Sequence, residues 1–463
     1  MKKVLTSSLI LIMSIALILG GCSSGSGSNT NTTNPAINSE SANNPDNSGS
    51  ETAEEEPAFE FAAEGVSGEV EIWSFVKETA EIVDAFNKAY PNIKVTFVDT
   101  GWDVHDKLAT AVAAGTGAPD VAMIEQGQFN RYVTGDVLED LLQPPYDAGR
   151  FRDDVSDYNW DRWRSLNGKK LLGMPWDVTP GVLYYRSDIY EQLGLPSDPE
   201  ELGQFMEDPE NVFLIAETLK ADGKYFMEWG DGPIHWGGDE VGYFDTELKW
   251  TRNTDRLVEL LDFTKRGDQI GWAAWVGAGS DDGKAMVSKG ELTGMVRGSW
   301  GARGLANDFP DLAGKWRATK LPFGIAAGMG GSTFVLPSQS KNKEAAWAFI
   351  EWASRSEEAW NIWAKHSIQP GWKSIQSLDW YINHTNEYLG GQKDYAMYQQ
   401  IEPLIPSRLL TPLDGPSWPI WLNSVKEEGL FKNLDSRAIL QQAQENVESQ
   451  LKSEIEALRS EFE

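Results

Sequence analysis

Between Gly68 and Glu125 the chain alternates strand and helix signals in an order that few folds accommodate. Residues Gly68–Phe75 (GEVEIWSF) alternate apolar and polar and end in aromatics, as an opening strand would. Ile82, Val83, Phe86, Ala89 and Tyr90 then recur at helical spacing until Pro91 stops the pattern. Ile93–Val98 reads as a second strand, and Leu108, Ala111 and Val112 mark a second helix that ends at Gly115-Thr116-Gly117. Pro119–Glu125 (PDVAMIE) completes the series as a third strand. This rhythm predicts an α/β fold with a parallel sheet. Ligands of such sheets bind beyond the carboxyl ends of the strands. Phe75, Lys77, Glu78, Glu125 and Gln126 are therefore expected at a ligand.

The rest of the body continues in kind. Gly168–Pro196 reads as a strand, a crossing interrupted by Pro and Gly, a second strand and a short helix. Lys289–Gly304 gives a strand followed by Trp300 between small residues. Gly330–Ser354 gives a strand, a polar turn and a helix with Ala346, Phe349, Ile350 and Ala353 facing inward. Trp347, Trp352, Trp360 and Trp363 recur along that helical region as packing residues. From Ser436 onward, Leu440, Ala443, Val447, Leu451 and Ile455 predict a terminal helix packed on the body. About 400 folded residues exceed what one core usually holds, so two lobes are expected.

The N-terminus supplies an address. Lys2 and Lys3 precede an apolar run from Val4 to Leu19, too short for a bilayer-spanning helix and shaped like a secretory signal peptide. Leu19-Gly20-Gly21-Cys22 closely resembles a bacterial lipobox, in which the cysteine carries the lipid. Cys22 is the chain's single cysteine, so the exported body can form no disulfide. Residues 1–21 are thus expected to be a lipoprotein signal peptide. Residues 22–66, rich in Ser, Asn, Gly and then Glu, are expected to form a lipid-anchored flexible tether. That combination points to the outer face of a Gram-positive cell membrane. A formal charge of −30 argues against nucleic acid and against direct docking on anionic lipid, leaving the anchor as the membrane contact.

Five segments, Ile82–Val95, Ala113–Glu125, Gly168–Leu195, Lys289–Ala302 and Gly330–Ser354, together resemble the extracellular solute-binding proteins of carbohydrate ABC importers. This is the family that includes the maltodextrin-binding proteins. The resemblance implies a two-lobed type II periplasmic-binding-protein fold with hinge crossings and a central ligand cleft. Lobe 1 would comprise 67–178 plus about 326–372, and lobe 2 about 179–325 plus about 373–463. Crossings would fall near Pro175–Thr179, Ala326–Ser332 and Pro370–Ser374. The chain would act as a monomer, delivering a sugar to membrane permease subunits without catalysis and with no cofactor. Residues 222–251 match no segment of the pattern.

A sugar presents an apolar C–H face and a rim of hydroxyls, so a cleft that reads it should mix indole rings with carboxylates and amides. The chain holds 20 tryptophans, enough to supply both cores and a cleft. Trp300 occupies the place where the family carries a stacking aromatic. Trp176 and Asp177 interrupt the first crossing, either as ligand contacts or as a hinge hydrogen bond. Thr179 stands where relatives often carry an acidic contact. Gly331 and Ser332 at the second crossing, with Trp372 and Trp418, are placed in the cleft by the family pattern. Trp229, Asp231, Trp236, Asp239 and Glu240 crowd one segment that reads as a loop, and Trp236 and Asp239 are its expected contacts.

Rival readings stay open at this level. A glycan-active enzyme needs a pair of carboxylates, which 70 acidic residues make cheap to find. The four histidines show no metal-ligand spacing and no G-x-S-x-G elbow occurs. Ser280–Glu291 hints at a calcium loop without its alternating oxygen ligands, so a structural calcium ion stays open there. A polyol, amine or peptide could replace the sugar. A surface adhesin or sensor could use the same fold. An acidic sugar could pair with Arg297, Arg303 or Lys77.

Overall fold

The computed structural model describes residues 65–462, so the expectations for the signal peptide, Cys22 and nearly all of the tether lie outside the described residues. Eight strands form two sheets: β1 Gly68–Ser74, β2 Ile93–Asp99, β3 Val121–Glu125, β4 Met174–Pro175, β5 Val182–Arg186, β6 Gly294–Arg297, β7 Trp316–Thr319 and β8 Ser332–Val335. The first sheet has the order β2-β1-β3-β8-β4 and the second β6-β5-β7. The expected strand–helix alternation is present, with β1 parallel to both β2 and β3. The sheet is nevertheless mixed. β8 returns from the second sheet and runs antiparallel to β3 and β4. The second sheet is antiparallel throughout.

Apolar spacing explains where the helices sit. Helix Thr79–Ala89 buries Ile82, Val83 and Phe86, while helix Lys343–Arg355 buries Ala346, Phe349, Ile350 and Ala353. The four tryptophans Trp347, Trp352, Trp360 and Trp363 are buried beside them. The C-terminal run forms two helices, Ser436–Gln450 and Lys452–Phe462, with every predicted apolar position buried. Ser280 caps helix Asp281–Lys289 by accepting the Gly283 amide. Asp281 and Asp282 therefore lie in a first helical turn, where the helix dipole favours carboxylates without a cation. No helix among the described residues is long and apolar enough to cross a membrane.

The chain passes from the first sheet to the second between β4 and β5 and returns between β7 and β8, and these segments are bonded to each other and to Gln369–Gly371. Val178 N–H donates to Gln369 O at 3.0 Å and Gly371 N–H to Trp176 O at 2.9 Å. Gly181 N–H donates to Ala327 O and Met329 N–H to Thr179 O, both at 2.8 Å. Two glycines make this crowding feasible. Gly331 has φ +100°, and a Cβ there would meet Arg162 Nη1 at 2.6 Å. A Cβ on Gly328 would lie 1.7 Å from the Tyr158 hydroxyl. The glycines of the second crossing thus let two side chains from the first sheet's side press against the hinge backbone.

Candidate functional site

The strand register brings one edge of the first sheet together. Glu125 at the end of β3 pairs with Ser332 at the start of β8, and Pro175 of β4 pairs with Thr333. Phe75, Glu125, Asp177, Gly331 and Ser332 thereby face the second sheet, whose β6 ends just before Trp300. Between the sheets lies a cleft with two compartments, of about 940 Å³ and about 370 Å³. Glu125, Trp300 and Gly330 line both and so form the partition.

The larger compartment is a tryptophan-lined chamber. Trp300 is 42% exposed, Trp229 45% and Trp418 44%, and Trp236 joins them with a partly buried ring. Trp300 and Trp418 are held in place by specific contacts. Trp300 Nε1 donates to Met329 O at 3.2 Å, fixing the ring to the second crossing. Trp418 stands edge-on to His235 at 5.1 Å. His235 Nδ1 accepts from Trp421 Nε1 at 3.1 Å, leaving its Nε2 to donate to Asp231 at 3.3 Å. Trp229, Asp231, Trp236 and Asp239 belong to a stretch expected to be a loop, yet Gly232–Val241 is a helix with Pro233 in its first turn. The density of Gly, acid and Trp suggests a loop; within the helix Gly237 and Gly238 are required as glycines because a Cβ there would meet Leu260 Cδ1 at 2.2 Å and Arg252 Nη1 at 2.8 Å.

The cations of this chamber are already neutralised. Arg297 grips Glu228 with both nitrogens, at 2.5 Å and 2.7 Å. Lys426 lies 3.6 Å from Asp231, and Arg408 lies 3.6 Å from Asp414. In the smaller compartment Arg303 pairs with Glu78 at 3.2 Å, an ion pair that crosses the cleft. Lys77 is exposed and lines neither compartment.

Glu125 differs from the other acids. Its Oε2 accepts the Gly127 amide at 2.7 Å, and among the described residues no cation stands within ion-pair distance. Burial pushes its carboxyl up to about 7, against the downward pull of the Gly127 amide and the Arg162 charge. Asp177 is likewise pushed up to about 6 by burial, and its Oδ1 accepts the Ser332 amide at 2.7 Å. A raised carboxyl favours the folded state while it is protonated, and that contribution is lost as pH rises through the folded value. Glu125→Gln should therefore melt above the wild type near pH 8. The difference should vanish below pH 4.5, the ordinary value, where both states are protonated. Melting curves across that range check it; a difference that grows on acidification would contradict it.

Beneath the partition sits a residue that the sequence reading passed over. Arg162 is buried and donates to Asn159 Oδ1 at 2.7 Å, Gln126 Oε1 at 3.0 Å and the Tyr158 hydroxyl at 3.0 Å. It also donates to two hinge carbonyls, Asp177 O at 2.6 Å and Gly330 O at 3.0 Å. Gln126 thus lines the chamber with its carbonyl oxygen already committed. A lone arginine between Trp160 and Trp163 was the available signal.

Two expected contacts are not brought to the chamber as rings. Trp372 is 0% exposed, packed edge-on to Phe151 at 6.2 Å with the Arg355 guanidinium 4.3 Å from its centroid. Trp176 borders the smaller compartment but is 2% exposed, its ring stacked on Trp360 at 6.3 Å and edge-on to Trp363 at 4.8 Å. Both sit where the Gln369–Trp372 segment meets the helices behind the first sheet, so apolar burial takes the faces a ligand would need. Asp177 makes the hinge hydrogen bond and still borders the smaller compartment, with Thr179 beside it. Tyr243, Arg408, Asp414 and Lys426, all remote in sequence from the quoted segments, complete the larger chamber. Among the described residues no group of three or more His, Cys, Asp or Glu is placed to hold a metal ion.

The sequence pattern described as bacterial extracellular solute-binding protein matches residues 73–360 of this chain. The chain belongs to that family. As an extracellular solute-binding protein it is similar to an arabinooligosaccharide-binding protein of Bacillus subtilis (strain 168), 26% identical over 407 residues, spanning 80% of this chain and 83% of the relative. A lactose-binding protein of Rhizobium radiobacter is 27% identical over 318 residues, covering 61% and 70%. Among solved structures, a family 1 extracellular solute-binding protein superposes with a TM-score of 0.71 at 19% identity, covering 82% of this chain and 99% of its own. The galacto-N-biose-/lacto-N-biose I-binding protein of Bifidobacterium longum, in complex with lacto-N-biose, gives 0.67 at 19% identity, covering 84% and 98%. The two-lobed periplasmic-binding-protein fold with a central cleft is thus the fold of this solute-binding protein.

Proposed function

We propose that this protein captures a neutral oligosaccharide in the cleft and delivers it to an ABC permease, without chemical change to the sugar. The observation that carries the reading is the chamber itself: three indole rings, each more than two-fifths exposed, facing cations that are already paired with carboxylates. Exposed rings suit the C–H faces of sugars, whereas a phosphate or uronate would have to break an existing ion pair to be held. The names of the relatives, arabinooligosaccharide-binding and lactose-binding, lend support. Glu125, with an oxygen free to accept, is suited to a sugar hydroxyl.

In this reading β1–β4 and β8 belong to lobe 1 (67–178 plus about 326–372) and β5–β7 to lobe 2 (about 179–325 plus about 373–463). The bonded crossings act as the hinge and the Glu78–Arg303 pair as a contact of the closed form. Lipid on Cys22 would hold the monomeric protein at the outer face of the membrane, with residues 22–66 as the tether. A thermal-shift screen against neutral oligosaccharides, uronates, amino acids, polyamines and peptides tests the reading, because a ligand above its Kd raises the melting point by mass action. Stabilisation by a neutral oligosaccharide is expected; stabilisation only by a charged solute or a peptide would overturn it.

A further inference from the structure

The tryptophan lining does not stop at the chamber wall. Trp229, which faces the chamber, stands edge-on to Trp275 at 6.4 Å, and Trp275 stands edge-on to Phe431 at 5.3 Å. Trp275 and Phe431 line neither compartment, yet Phe431 is 50% exposed. The three rings form one continuous apolar ledge leading from the chamber to the outer surface. Contiguous exposed apolar surface of this kind marks an interaction site, unlike a scattered single residue.

The ledge is held stiffly to the cleft. Lys426 Nζ lies 4.8 Å from the Trp275 ring centroid and within 6 Å of the centroids of Trp229 (5.9 Å) and Phe431 (5.8 Å). The same ammonium pairs with Asp231 on the chamber wall. Trp275 has φ +55°, a conformation that a bulky residue keeps only where its surroundings fix it. Those surroundings are visible. Its N–H donates to Glu228 O at 2.8 Å and its Nε1 to Asp268 Oδ1 at 3.3 Å, while the Glu228 carboxylate grips Arg297 in the chamber. Lys426 itself lies on a π-helical stretch, Asn423–Leu430, a winding found most often at functional sites.

We propose that Trp229, Trp275 and Phe431 form an outer platform for the protruding end of a bound oligosaccharide, so that the receptor selects longer chains over dimers. The inference rests on the oligosaccharide reading above. Its occupant follows from continuity: a chain stacked on Trp229 and extended outward next meets Trp275 and Phe431, with the Asp268 carboxylate at the rim to accept hydroxyls.

The test is calorimetric titration of the exported chain with neutral arabino-, galacto- and malto-oligosaccharides from dimer to hexamer, on wild type, Phe431→Ala and Phe431→Tyr. For the series that binds, wild-type affinity should rise with length. Phe431→Ala should lose about 3- to 10-fold on the longest chains, the worth of one aromatic contact, and nothing on the dimer. Phe431→Tyr, which keeps the ring, should restore the long-chain affinity. Equal loss at every length, or none at any length, would overturn the platform while leaving sugar capture intact. A change in self-association without a change in sugar affinity would overturn it as well, assigning the rings to a second copy of the chain. Failure of every oligosaccharide to bind wild type would overturn the sugar reading and the platform with it.

Discussion

Replacing Trp300 by Ala should weaken oligosaccharide binding by about 10- to 100-fold while leaving the melting point of the unliganded protein nearly unchanged. The ring is 42% exposed, lines both compartments and makes one hydrogen bond, to Met329 O. Its removal therefore takes little packing from the apo fold. It removes from the complex an apolar platform whose burial by a ligand is worth about 1.5–3 kcal/mol. Titration of the variant and a melting curve without ligand separate the two effects. A large loss of apo stability with unchanged affinity would make Trp300 a packing residue.

Arg162→Met should have the opposite signature, a collapse of stability that ligand only partly repairs. The guanidinium is buried and satisfies three side chains and two hinge carbonyls at once. Methionine leaves the two hinge carbonyls without their donor, and leaves Asn159 Oδ1 and Gln126 Oε1 only the longer bonds from Trp163 Nε1 at 3.4 Å and the Tyr158 hydroxyl at 3.3 Å. The loss is on the order of 3–5 kcal/mol, as for other broken buried charge networks. Lysine keeps the charge but lacks the planar fork, so Arg162→Lys should recover only part of the loss. The deficit should also depend on pH. The Arg162 charge lowers both Glu125 and Asp177, so its removal lets burial push each carboxyl higher still. Carboxyls raised in the folded state cost stability as pH rises, so the gap between variant and wild type should widen from about pH 5 to about pH 8. Melting curves at the two pH values check it, and a gap that is constant or narrows would contradict the assignment.

The elements that carry one clear period were legible in the sequence. The strands β1, β2 and β3 and the helices between them could be placed because periodicity, Pro91 and Gly115 act locally. The direction of β8 could not be read, since a strand's partner depends on a return across the hinge that no local residue encodes. The fate of individual tryptophans was legible where flanking residues differed. Trp300 lies between small residues and is exposed, and Trp347 lies in an apolar run and is buried. The family pattern places Trp372 in the cleft, but the fold closes Phe151 and Arg355 over it. Residues 222–251 could not be placed, because their density of Gly, acid and Trp resembles a loop while tertiary packing makes Gly232–Val241 a helix that walls the chamber. The pairing of the chamber's cations was likewise out of reach, because Arg297 and Glu228, or Lys426 and Asp231, meet only in three dimensions.

That Arg297, Arg408 and Lys426 of the chamber are already paired with carboxylates is the central claim, and it is tested most directly by titrating the wild-type protein with a matched pair of ligands. One is a neutral oligosaccharide that stabilises the protein, and the other is the same chain with a terminal unit oxidised to the uronate. The paired cations and the lone Glu125 predict one site per chain for the neutral sugar and at least a tenfold weaker interaction with its carboxylate twin, about 1.4 kcal/mol or more. Equal or tighter binding of the uronate would contradict the account.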